Sequence, residues 1–177
     1  AWWPLLENGA ECIVMTASGC GVTVKEYAQV LCNDAQYAEK AKRVSSLTCD
    51  LTEIVQKELI EPSLAGHGTK VAVQTPCTLQ HGQGINGSIE EILSRLGFQL
   101  ATVENAHLCC GSAGSYSILQ SSIAKSLRQD KLNTLEMGEP TVIATANIGC
   151  QVHLAAQSEV PVRHWIELVD SVMQFND

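Results

Sequence analysis

The residues in this chain best suited to chemistry are its cysteines. Eight of them stand at positions 12, 20, 32, 49, 77, 109, 110 and 150. Three of the five histidines lie close to one: His81 follows Cys77 by four positions, His107 precedes Cys109 by two, and His153 follows Cys150 by three. Thiolate and imidazole groups suit soft and borderline metals, and four thiolates complete the terminal ligation of an iron–sulfur cluster. An even count also admits disulfides or inert buried thiols. Disulfide frameworks belong mainly to small secreted scaffolds without enough core, and 177 residues are enough to bury one. Cys12 lies in a predicted strand and Cys32 and Cys49 near predicted helix ends, so these three read as ordinary buried thiols.

Positioning such groups requires a scaffold, and the sequence alternates short apolar runs with helical patterns. Strands are expected at 12–16, 71–74, 99–103 and 141–145, several of them rich in β-branched residues. Helices are expected at 22–31, 34–47, 50–60, 88–96, 121–136 and 165–175. For 88–96, Ser88 is the expected N-cap, Glu91 closes a capping box and Gly97 stops the helix. Strand–helix alternation implies an α/β fold, a mostly parallel sheet with flanking helices. Cys20, Cys77, Cys109-Cys110 and Cys150 each come just after a predicted strand. In a parallel sheet those loops emerge at the carboxyl edge, where open α/β sheets place their ligands. Residues far apart in sequence then converge on one rim.

An internal repeat runs through the pattern. Leu6-Glu7-Asn8-Gly9, Ile13 to Ala17 and Gly19-Cys20-Gly21-Val22 form one copy; Leu135-Glu136-Met137-Gly138, Val142 to Ala146 and Gly149-Cys150-Gln151-Val152 form the other. The second copy is preceded by a long stretch carrying Cys77 and Cys109-Cys110, the first by only five residues. Residues 1–64 therefore read as the last part of a first repeat and 65–177 as a complete second one. The join is the Pro/Gly-rich stretch from Glu61 to Gly68, and the chain reads as a fragment. Composition narrows the partners. Eleven Lys and Arg against 19 Asp and Glu give a net charge of −8, with 45% hydrophobic and 17% charged residues. That balance argues against nucleic acid and against anionic membrane surfaces. No apolar run approaches the roughly 18 residues a membrane-spanning helix needs, and the N-terminus has no signal-peptide pattern.

The combination of Cys77, Cys109-Cys110-Gly111 and Cys150-Gln151-Val152-His153 resembles the cysteine-rich CCG domain family. That domain occurs in the cysteine-rich subunit of heterodisulfide reductases and in the iron–sulfur subunits of bacterial glycolate oxidases. Similarity to the latter is carried by Ala1-Trp2-Trp3-Pro4, Thr16 to Gly21, Val24 to Tyr27, Cys77 to His81, His107 to Gly114, Thr145 to Cys150 and Val162 to Glu167. The resemblance implies an electron-transfer role: a flavin-bearing partner subunit oxidises glycolate, and clusters pass the electrons towards quinone. It also implies a cytoplasmic protein, peripheral at the inner membrane through its partners. Two departures matter. The ferredoxin-like Cys-x-x-Cys-x-x-Cys runs of the complete subunit do not occur in this chain, and the motif ends on His153 where the general CCG pattern has a further Cys. The implied site is then a [4Fe–4S] cluster on Cys77, Cys109, Cys110 and Cys150. Cys20 and His153 are further candidates, and His81 and His107 weaker ones.

Two other readings stay open on the residues alone. One is a zinc-bound or metal-free domain that docks the flavoprotein. The other is nucleotide binding, since Gly82-Gln83-Gly84-Ile85-Asn86-Gly87 is a formal G-x-G-x-x-G. Its first glycine, however, stands well past the end of the predicted strand, whereas the dinucleotide turn needs it directly after.

Overall fold

A computed structural model describes residues 1–58 and 68–173. The first part runs α1 (Trp3–Glu7), β1 (Ile13–Met15), α2 (Ser18–Lys25), α3 (Tyr27–Val30), α4 (Ala38–Leu47), β2 (Thr48–Asp50) and α5 (Leu51–Glu58). The second continues with β3 (Lys70–Gln74), a π-helical turn (Thr78–Gly82), α6 (Ser88–Arg95), β4 (Gln99–Leu100), α7 (Tyr116–Leu119) and α8 (Ser121–Glu136). It ends with β5 (Val142–Thr145), α9 (Ile148–Ala155), β6 (Val162–His164) and α10 (Trp165–Val172). This is the expected α/β architecture of parallel sheets flanked by helices. The expected join at 61–68 falls almost wholly outside the described residues.

Every strand pairing is parallel. β1 pairs β2 with Val14 opposite Cys49, and the larger sheet has the order β4-β3-β5-β6. Alternation along β3 sorts its side chains to two faces. Val71 and Val73 pack with Ile89, Ile92 and Leu93 of α6 and with Trp165 and Leu168 of α10. Ala72 and Ile143 pack on the other face with Leu132 and Leu135 of α8, Leu154 of α9, and the thiols of Cys110 and Cys150. The two central strands, β3 and β5, are further locked by buried Thr145 Oγ1 donating to Gln74 Oε1 at 2.6 Å.

Several expectations need correction. Gly87, at φ +74°, is the N-cap of α6, and Ser88 is its first helical residue. The Glu91 carboxylate accepts from Gln56 Nε2 at 2.8 Å instead of closing a capping box. The strand expected over 99–103 stops at Leu100, while β2 and β6 are strands the sequence pattern did not reveal. The helix expected from 34 starts at Ala38, because the Asp34 carboxylate holds the backbone N–H groups of Gln36 and Tyr37 in a turn. Cys12 and Cys32 are exposed and Cys49 is only partly buried, against the expectation of buried thiols. Cys12 precedes β1, Cys32 sits in the turn after α3, and a two-stranded sheet cannot cover both of its faces. All eight cysteines are free.

Candidate cysteine site

Three loops at the carboxyl edge of the larger sheet bring four thiols together. From β3 the chain steps sideways to β4 and then crosses to β5 on the opposite side, so the ends of β3 and β5 frame a topological switch point. Cys77 follows β3, Cys109 and Cys110 follow β4, and Cys150 is the third residue of α9 after β5. Their thiols interact in chain order as a row, Cys77 with Cys109, Cys109 with Cys110, and Cys110 with Cys150. Burial increases along it: Cys77 and Cys109 are half-buried, whereas Cys110 and Cys150 keep only 2% and 4% of their surface.

The row sets the acidity of its members. Burial, then donation to Cys109, raises the Cys77 thiol. Donation to Cys110, with burial, holds Cys109 far above the usual thiol range. Cys110 accepts from Cys109, which lowers it, but donation to Cys150 and burial leave it pushed up to about 12. Cys150 ends the row as acceptor from Cys110 and, against its burial, lies below the ordinary thiol value; Asn147 Nδ2 also donates to its Sγ at 3.6 Å.

The backbone contributes as well. Gly111 N–H donates to Cys109 Sγ at 3.3 Å. Gly111, Ala113 and Gly114 have φ of +88°, +33° and +58°, so three of the loop's four residues from 111 to 114 are left-handed. Gly111 also has no room for a side chain, because a Cβ there would stand 2.5 Å from the carbonyl oxygen of Ala124 on α8. Among the described residues, no group of three or more His, Cys, Asp or Glu is set to hold a single metal ion. Four thiols, two of them accepting from Gly111 N–H and Asn147 Nδ2, fit the donor set of an iron–sulfur cluster, which takes thiolate ligands and gains from hydrogen bonds to sulfur.

The other expected residues lie apart from the row. Cys20 is exposed on α2. His153 is half-buried on α9, and its Nε2–H donates to the Ala124 carbonyl at 3.3 Å. His81 and His107 are exposed. Gly82 of the G-x-G-x-x-G segment is a packing residue: a Cβ there would come within 2.9 Å of Val22 on α2. The π-helical turn separates it from the end of β3, so the segment lacks the strand-to-glycine turn of a dinucleotide site.

Two residues of the site escaped the sequence reading. Asn147 looks like an ordinary helix N-cap, but its side chain makes no bond to its own helix backbone. It instead donates to Cys150 Sγ and accepts from Gly19 N–H of α2 at 3.2 Å. Lys131 interrupts the buried stripe Ala124, Leu132 and Leu135 of α8 and is itself 2% exposed. A lysine at a core-facing helical position was the available signal, since lysine is almost never buried without partners.

With this geometry, the loops and sheet order define a cysteine-rich site on an α/β scaffold. Residues 71–155 match the family profile of the CCG cysteine-rich domain. The whole stretch is similar to the "Glycolate oxidase iron-sulfur subunit" of Escherichia coli K12, with 52% identity over 98% of this chain and 43% of the relative. It is also similar to "Lactate utilization protein A" of Anoxybacillus flavithermus, 27% identical over 85% of this chain and 64% of the relative. The protein of that name from Bacillus subtilis 168 is 25% identical over 92% of this chain and 71% of the relative. The chain thus spans less than half the length of the first relative.

Proposed function

We propose that this chain is an electron-transfer element of an iron–sulfur subunit of the glycolate oxidase type, holding a [4Fe–4S] cluster on Cys77, Cys109, Cys110 and Cys150. The observation that carries the reading is the single row of four thiols at the switch point of the sheet. The 52% identity to the Escherichia coli subunit supports the assignment to that complex. When bound, the cluster supplies a one-electron store whose potential the protein sets. The chain's part is to gather the four cysteines, exclude water from the Cys110 and Cys150 side, and donate the Gly111 N–H to the Cys109 sulfur.

In this reading the electrons come from a flavin-bearing partner that oxidises glycolate and leave towards quinone. The protein is cytoplasmic and reaches the inner membrane through its partners; no described helix is long and apolar enough to cross a membrane. Residues 65–177 are one complete repeat and 1–64 the last part of another, with Cys20 as the counterpart of Cys150.

Anaerobic reconstitution with ferrous iron and sulfide tests the assignment. The expected product is brown, bleaches on reduction and contains about four iron and four sulfide per chain. A colourless protein that takes up zinc stoichiometrically and no iron would replace this reading with that of a docking domain. Titration with NAD or FAD should give no binding.

A further inference from the structure

Lys131 is the one lysine in the buried stripe of α8, and its placement is specific. Its Nζ donates to the carbonyl oxygen of Ala106 at 2.8 Å and to that of Asn105 at 3.5 Å. Both carbonyls belong to the loop that delivers Cys109 and Cys110. α8 also packs on that loop right beside Cys110, since the Ala124 carbonyl and Leu127 close on Gly111. Burying a cation is expensive unless it meets compensating charge or hydrogen bonds, and two carbonyl dipoles are slight compensation. Burial indeed pulls the Lys131 pKa below its ordinary value, while the cysteines act to restore it. The protonated lysine thus gains most once the neighbouring sulfurs are negative.

We propose that Lys131 is the fixed counter-charge of the cysteine site, a buried ammonium pinned by the Ala106 carbonyl that stabilises each added negative charge on the sulfurs and whatever they hold. It touches no reacting atom and acts through the thiolates, as a positioning and charge-compensating residue. The proposal rests on the reading of the four cysteines as cluster ligands. Reduction adds one electron to the site, and a cation buried beside it favours the reduced form.

The test compares Lys131→Gln, which keeps an N–H donor for the Ala106 carbonyl but loses the charge, with Lys131→Met, which loses both. Lys125→Gln, which removes an exposed charge from the same helix, is the control. After reconstitution, Lys131→Gln should retain iron and sulfide, yet its ratio of reduced to oxidised protein at fixed potential should fall about tenfold, equivalent to 59 mV for one electron. Lys131→Met should show the same shift with lower iron content, and Lys125→Gln neither change. A fully loaded Lys131→Gln with an unaltered midpoint overturns the proposal. A second readout uses metal-free protein: alkylation of the site cysteines at constant pH should be several-fold slower in Lys131→Gln than in the unaltered chain. If the unaltered chain takes up no iron, the cluster reading fails and this rate alone decides the role of Lys131; equal rates overturn it.

Discussion

The turn from β1 into α2 and the turn from β5 into α9 are built alike. Each leaves its strand through Thr-Ala, holds its helix N-cap extended (φ −125° at Ala17, −145° at Asn147), and presents a cysteine as the third helical residue. The outcomes are opposite. Cys150 is buried and accepts hydrogen bonds from Cys110 and Asn147, whereas Cys20 is exposed and outside the thiol row. The two turns even touch: Ser18 N–H donates to the Ala146 carbonyl at 3.1 Å, and Gly19 N–H to Asn147 Oδ1. A local turn therefore does not make a site. What separates them is the arrival of Cys77 and Cys109-Cys110 from two neighbouring loops around one turn and not the other.

The sharpest way to break this comparison is to exchange the cysteines. Cys150→Ser should abolish iron uptake on reconstitution, and Cys20→Ser should leave iron per chain unchanged. A proportionate loss from Cys20→Ser would show that the two turns serve one site. Next comes a pair of glycines, both at positive φ. Gly111→Ala meets the Ala124 carbonyl and should lower stability by several kcal/mol, while Gly9→Ala, with nothing within 4 Å, should cost only the left-handed strain of about 1–2 kcal/mol. Denaturant melts of the two variants measure the difference. Asn147→Leu removes one of the two bonds between the turns and should cost about 1–3 kcal/mol by leaving Gly19 N–H without its partner. The smallest effect belongs to His153→Ala, which loses one bond to the Ala124 carbonyl, about 0.5–1.5 kcal/mol, and should keep its iron. Complete iron loss from that variant would make His153 a ligand.

Those contrasts show which features local sequence encodes. The β-branched runs at 71–74 and 141–145 marked the two central strands because both faces of each are buried, and cysteines placed just after strands pointed to one edge of the sheet. β2 (Thr-Cys-Asp) and β6 (Val-Arg-His) left no comparable trace. Each is three residues long with a polar side chain in it, and its extended form comes from its neighbour's hydrogen bonds. The capping box at Ser88 failed for a related reason: Gly87 adopts a left-handed conformation that moves the helix start, and Gln56, far off in sequence, claims the Glu91 carboxylate. His164 makes the same point. Its Nδ1 accepts from Ile166 N–H, so its Nε2 carries the proton and donates to the Thr16 carbonyl at 2.8 Å, a partner 148 positions away. Lys131 was visible only as a charge out of place; what it neutralises depends on loops that the helix pattern does not contain.

The pairing of β3 with β5 also sets an order in time. Thr145 bonds Gln74 across 71 positions, and the strand that carries Cys150 to the site is made long after the strand that carries Cys77. At a synthesis rate of 5–20 residues per second, the ribosome releases Cys77 on the order of 4–15 s before Cys150. Through that interval Cys77, and later Cys109 and Cys110, ride on a nascent chain whose central strand is missing, with their thiols open to oxidants and stray metals. The site is complete only with β5 beside β3 and the Gln74–Thr145 bond in place. A cluster on these four cysteines would gain its last ligand only once β5 has joined β3.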